Sequence, residues 1–142
     1  MKRYLFLLLM TAFFGACDKD DFNNKNPFIP NYGFSKTFDT NLPGYSPLLY
    51  AGNSIYYGGS DAGARGLIIF NAGGENNYVA YDAACPNQEI ADCSTMLASG
   101  SIAVCPCDQA EYNLFTGQAP GLEYPMKQYR VQVSGSVITV YN

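Results

Sequence analysis

Four of the five cysteines lie between positions 85 and 107 of a 142-residue chain that contains no histidine. Close-set cysteines leave a small chain two main courses: they tie loops together as disulfides, or they hold a metal. Lack of histidine removes the Ser-His-Asp and Cys-His arrangements of nucleophilic catalysis. It also removes the imidazole that most often accompanies cysteine in metal sites. Cys85 to Cys93 is too wide for a zinc knuckle, and Cys105-x-Cys107 is too narrow. A redox-active Cys-x-x-Cys motif is absent as well.

The compartment is read from the N-terminus. Lys2 and Arg3 precede the apolar run Tyr4 to Phe14, which ends in Gly15-Ala16-Cys17. This is the layout of an export signal, and the run is too short for a membrane span of about 20 residues. Residues 1–16 resemble a bacterial lipoprotein signal, which implies Cys17 as the lipidated first residue of the mature chain. Asp18-Lys19-Asp20-Asp21 then resembles the acidic sorting signal of Bacteroidetes-type surface lipoproteins. The expected location is the cell envelope, on the outer membrane or cell surface, with the membrane engaged through the N-terminal lipid. Residues 17–30 are polar and broken by Pro27 and Pro30, and read as a flexible tether. The domain is expected over 31–142.

Beyond the tether, short strand-like runs alternate with turn signals, and no stretch keeps a helical period. Expected strands are Gly33–Phe38, Ser54–Tyr57, Leu67–Asn71, Tyr78–Asp82, Ile102–Cys105, Glu111–Leu114, Gln128–Val133 and Val137–Tyr141. Gly58-Gly59, Ala72-Gly73-Gly74, Ser99-Gly100 and Ser134-Gly135 are the turns. The pattern is all-β, a small antiparallel sandwich or barrel. Asn41 to Leu49 reads as a loop, and the tyrosines at 45, 50, 56 and 57 read as packing rather than as a sugar-stacking platform.

Without residues 1–16 the chain carries six basic and twelve acidic residues, a net charge of −6. A surface of that sign repels phosphate backbones, so nucleic acid is excluded as a partner. No glycine-rich phosphate loop joins a strand to a helix. The carboxylates near the cysteines, Asp82, Glu89, Asp92, Asp108 and Glu111, are common furniture of an acidic surface, and no enzyme activity is expected. With export expected, four cysteines read as two disulfides. Cys105–Cys107 is disfavoured across one intervening residue. Cys85–Cys105 with Cys93–Cys107, and the crossed arrangement, remain open.

Tyr81-Asp82-Ala83-Ala84-Cys85-Pro86-Asn87, Val104-Cys105-Pro106-Cys107-Asp108 and Tyr112-Asn113-Leu114-Phe115-Thr116-Gly117 resemble the loops of a Rieske [2Fe-2S] domain. In that family each loop gives one cysteine and one histidine to the cluster. Here the histidine positions read Asn87 and Asp108. The resemblance spans about residues 34–142 and implies the Rieske-type β fold with two cysteine loops. It implies a Cys93–Cys107 bridge, since Cys107 occupies the place of the family's second-loop disulfide cysteine. Cys85 and Cys105 would then face each other where a cluster would sit and could close a second bridge. Two neutral imidazoles set the potential of a Rieske centre, and both are missing. The expectation is a domain without a cofactor, in a binding or structural role with an unknown envelope protein. The alternative is electron transfer through a variant [2Fe-2S] cluster held by Cys85 and Cys105, with Asp108 and Asn87 as candidate ligands.

Overall fold

A computed structural model describes residues 24–142. The signal segment, Cys17 and the acidic run 18–21 lie outside the described residues. Nine strands follow in order: β1 Ser35–Asp39, β2 Ser54–Tyr57, β3 Leu67–Asn71, β4 Tyr78–Asp82, β5 Leu97–Ser99, β6 Ile102–Val104, β7 Glu111–Asn113, β8 Gln128–Ser134 and β9 Val137–Tyr141. They form a six-stranded sheet of order β1-β9-β8-β4-β3-β2 and a three-stranded sheet of order β5-β6-β7. All pairings are antiparallel. The described chain is all-β, as its short strands and glycine turns indicated.

Strand β3 organises the interior, because all five of its residues are buried. Successive side chains of a strand point to opposite faces. Ile68 and Phe70 thus join one apolar cluster with Tyr81, Met96, Tyr112 and Leu114, while Leu67 and Ile69 join another with Phe38, Leu48, Tyr129 and Ile138. The first cluster contains Cys85 and Cys105, so the cysteine loops close over core rather than over solvent. Burying a large apolar side chain contributes about 1.5–3 kcal/mol, which makes β3 the main support beneath the site. The Tyr81 hydroxyl donates to the Leu114 carbonyl at 3.0 Å and joins the two sheets at that support.

Four departures from the sequence reading stand out. The tether does not run to Pro30: the Asn26 carboxamide oxygen accepts from the Phe28 and Ile29 amides, and its nitrogen donates to the Pro86 carbonyl. Ile29 is buried, and Phe28 meets the Tyr124 ring edge-on at 5.8 Å. Residues 24–30 are therefore docked on the domain. Within the expected loop 41–49, Ser46–Leu49 forms one turn of 3₁₀ helix that buries Leu48. Strand β5 was not expected. The tyrosine group divides: Tyr45 and Tyr57 stack edge-on against Phe38 as packing, whereas Tyr50 and Tyr56 are exposed.

Candidate functional site: the bridged cysteine loops

Strand β4 leads directly into the first loop, and Asp82 fixes the exit. Its carboxylate is wholly buried and accepts from the Ala64, Arg65 and Ala84 amides and from the Tyr129 hydroxyl. A buried carboxylate is tolerated only with such a set of donors. The bond from Ala84 turns the chain out of β4, and those from Ala64 and Arg65 bind the loop preceding β3. Gly66 in that loop has φ +88° and lies against the Tyr57 carbonyl, leaving no space for a Cβ. Arg65 reaches on to the Ala91 carbonyl at 2.8 Å and ties the same loop to the first cysteine loop.

Cys85 and Cys105 form a disulfide with Cα atoms 5.6 Å apart, and Cys93 and Cys107 form a second with Cα atoms 5.2 Å apart. These are ordinary separations for bridged cysteines. The pairing is the one that the resemblance implied. The bridges differ in setting: Cys85 and Cys105 lie in the core, Cys107 is half-buried and Cys93 is exposed. The two closed loops overlap in sequence, with separations of 20 and 14 residues. Each alone contributes about 3 kcal/mol in the loop-entropy account.

The positions where the family carries histidine have other work. The Asn87 carboxamide nitrogen donates to the Tyr112 hydroxyl at 3.0 Å and to the Tyr124 carbonyl at 2.6 Å, and its oxygen accepts from the Tyr124 amide at 2.9 Å. It clamps the segment before Pro125 onto the first loop. The exposed Asp108 accepts from the Ala110 amide at 3.0 Å and closes a local turn. In the same turn Gln109 takes φ +61°, the Cys105 amide donates to Ala110, and the Gln109 amide returns to Cys105.

The Sγ atoms of Cys85, Cys105 and Cys107 all lie within 4.8 Å of one another, a group of soft donors that Asp108 does not join. As folded, Cys85 and Cys105 are bonded to each other, so their thiolates are not available to iron. Asn87 offers only an amide oxygen already engaged by a backbone donor. These residues do not fit a [2Fe-2S] cluster in this form, since both cluster thiolates must be free. Burial pushes the Tyr81 hydroxyl up to about 12 and also raises that of Tyr112. Both line the core beneath the loops and titrate well away from neutrality.

Sequence reasoning missed Asn87 as a clamp, because its partner lies 37 residues on. It also missed Ser94, which is fully buried between the loops and stands 3.7 Å from the Cys107 sulfur. A cleft of about 660 Å³ opens elsewhere, between Tyr32–Phe34 and the glycine-rich loop 58–66. Its Asp61 is engaged by Lys36 and the Tyr57 hydroxyl, and none of the described cysteines lines it.

No family model and no curated protein matches the chain. Among solved structures, it is similar to a ferredoxin of Sphingomonas yanoikuyae B1, at 19% identity and a TM-score of 0.44, over 66% of this chain and 88% of that one. It is similar to a chain of the complex between reduced oxygenase and oxidized ferredoxin in carbazole 1,9a-dioxygenase, at 17% identity and 0.47, over 74% and 92%. A third similarity is to the E. coli protein NirD, at 14% identity and 0.45, over 77% and 98%.

Proposed function

We propose that this chain is a lipid-anchored protein of the bacterial envelope. Its Rieske-like domain has exchanged the cluster for disulfides and serves as a binding or structural module rather than as an enzyme. The observation that carries this reading is the Cys85–Cys105 bridge at the centre of the two loops, where the family holds its iron. Asn87 and Asp108 support it, because each is committed to a hydrogen bond that stabilises the fold without any metal. The anchor rests on Lys2 to Cys17, and surface placement rests on Asp18 to Asp21. A protein partner is favoured by large apolar side chains on neighbouring strands: Tyr56 on β2 is 50% exposed and Leu97 on β5 is 66% exposed.

The test is chemical analysis of the protein purified without reductant. The reading expects no visible charge-transfer absorption, no iron or acid-labile sulfide, and no free thiol within the domain. Stoichiometric iron and sulfide would overturn it in favour of a variant electron-transfer centre. The anchor is tested separately: Cys17→Ala should move the protein from the membrane fraction to the soluble one.

A further inference from the structure

Two independent disulfides do not require a third sulfur beside one of them. Yet Cys107, bonded to Cys93, keeps its Sγ within 4.8 Å of both sulfurs of the Cys85–Cys105 bridge. Access is graded in the same direction. Cys93 is exposed and Cys107 half-buried, whereas Cys85 is 1% and Cys105 0% exposed. A reductant in solution therefore meets the outer bridge and not the inner one.

Ser94 adds a second, independent feature. Its buried hydroxyl oxygen accepts from the Ala91 amide at 2.8 Å and from the Gln88 carboxamide at 3.3 Å. The hydroxyl proton is then directed at the Glu89 carbonyl at 3.4 Å or the Cys107 sulfur at 3.7 Å. A donor facing a sulfur favours its thiolate over its thiol, and the thiolate is the attacking form in disulfide exchange.

We propose that the two bridges form a thiol–disulfide relay, in which Cys107 passes electrons from an external protein dithiol of the Cys-x-x-Cys class to the buried Cys85–Cys105 pair. The relay rests on both bridges being closed in the isolated protein. In the first step the external dithiol reduces Cys93–Cys107, leaving two thiols on this chain and a disulfide on the donor. The Cys107 thiolate, having released its proton, then attacks the Cys85 sulfur. A Cys85–Cys107 bond forms, the Cys85–Cys105 bond breaks, and Cys105 departs as a thiolate that takes up a proton. Attack falls on Cys85 because a Cys105–Cys107 bridge would close across a single residue. Finally the Cys93 thiolate attacks Cys107, the outer bridge re-forms, and Cys85 leaves as the second thiol. The donor has lost two electrons, the inner pair has gained them, and the outer bridge is restored.

The full chain is tested in two ways after a thiol count without reductant, which checks the closed bridges by themselves. Cys93→Ser holds the relay at its midpoint, with Cys107 free beside the inner bridge. Acid quenching, alkylation and peptide mapping should find Cys85–Cys107 with free Cys105 alongside Cys85–Cys105 with free Cys107. If Cys107 is the sole residue alkylated in the domain, the relay is wrong. In the unsubstituted protein, limiting dithiothreitol should yield label at Cys85 and Cys105. Loss of the inner bridge should be about tenfold slower in the Cys93→Ser, Cys107→Ser double variant. Label confined to Cys93 and Cys107, or equal rates in the two proteins, overturns the proposal.

Discussion

In the first cysteine loop Asn87 is held by hydrogen bonds to residues 25 and 37 positions away, whereas in the second Asp108 holds only the amide two residues on. The same contrast runs through the rest of each loop. Asn26 and Arg65 reach the first loop from distant parts of the chain, and the Asp82 carboxylate at its root holds the Ala64 and Arg65 amides and the Tyr129 hydroxyl. The second loop is folded on itself between Cys105 and Ala110, and its long-range ties are the two bridges and the contact of the Ser94 hydroxyl with the Cys107 sulfur. Asn87 and Asp108, two residues past Cys85 and one past Cys107, thus differ in kind. One is a tertiary clamp and the other a local turn former, and covalent bonds supply what the second loop lacks.

The strongest way to break this comparison is at the root of the first loop. Asp82→Ala would leave the Ala64, Arg65 and Ala84 amides and the Tyr129 hydroxyl without their acceptor. The expected loss is about 3–5 kcal/mol, as for breaking a buried charged network. Against a total of roughly 5–15 kcal/mol for a domain, it should lower the denaturation midpoint drastically. A loss under about 1 kcal/mol would mean that the first loop is not anchored through β4.

The bridges come next. Replacing Cys85 and Cys105 together by Ala should cost about 3 kcal/mol from the opened loop, with a further packing loss because both sulfurs lie in the core. Replacing Cys93 and Cys107 by Ser opens a loop of similar entropy at the rim. It should therefore cost less, and denaturant titration of the two double variants reads the difference. An equal or reversed order would remove the distinction between inner and outer bridge. Smaller again is the pair of single changes. Asn87→Ala should cost about 2 kcal/mol through two unpaired backbone groups at Tyr124, and Asp108→Ala less than about 1 kcal/mol.

The pH dependence has a defined sign. Burial raises the Tyr81 hydroxyl to about 12, and burial with the nearby Asp82 charge raises Tyr129 further. Unfolded tyrosine ionises near about 10. Above that value the folded protein holds more protons than the unfolded chain, so stability present below pH 10 falls as pH rises through this range. Burial moves Lys127 the other way, below its ordinary value, so its contribution rises with pH until the unfolded lysine also deprotonates. Alkaline unfolding should coincide with the appearance of tyrosinate absorbance at these buried positions. Tyrosinate signal for all tyrosines near pH 10, with the fold intact, would contradict the buried support beneath the loops.

What the sequence revealed follows the range of the interactions involved. Leu67–Asn71 and Tyr78–Asp82 are strands in both reading and structure, because apolar runs bounded by glycines or polar residues report burial locally. Leu97–Ser99 is only three residues long and defined by its partner β6; the hairpin signal was the Ser99-Gly100 turn with apolar residues on both sides. Residues 24–30 look like a tether by composition, yet Asn26 and Ile29 find partners that composition cannot display. The bridge pairing illustrates the same limit. Cysteine spacing left two arrangements, and the resemblance of Cys105-Pro106-Cys107 to a family's loop indicated the one that forms. Neither the Asn87 clamp nor the meeting of three sulfurs was legible, since each depends on segments that only the folded chain brings together.

The central claim concerns the bond between the two loops, and it is tested most directly by non-reducing peptide mapping of the protein purified from its native source, alkylated before any reductant is added. The account predicts one linked peptide containing Cys85 and Cys105 and one containing Cys93 and Cys107, with no alkylated cysteine in the domain. Alkylated Cys85 and Cys105, with iron released on denaturation, would contradict it.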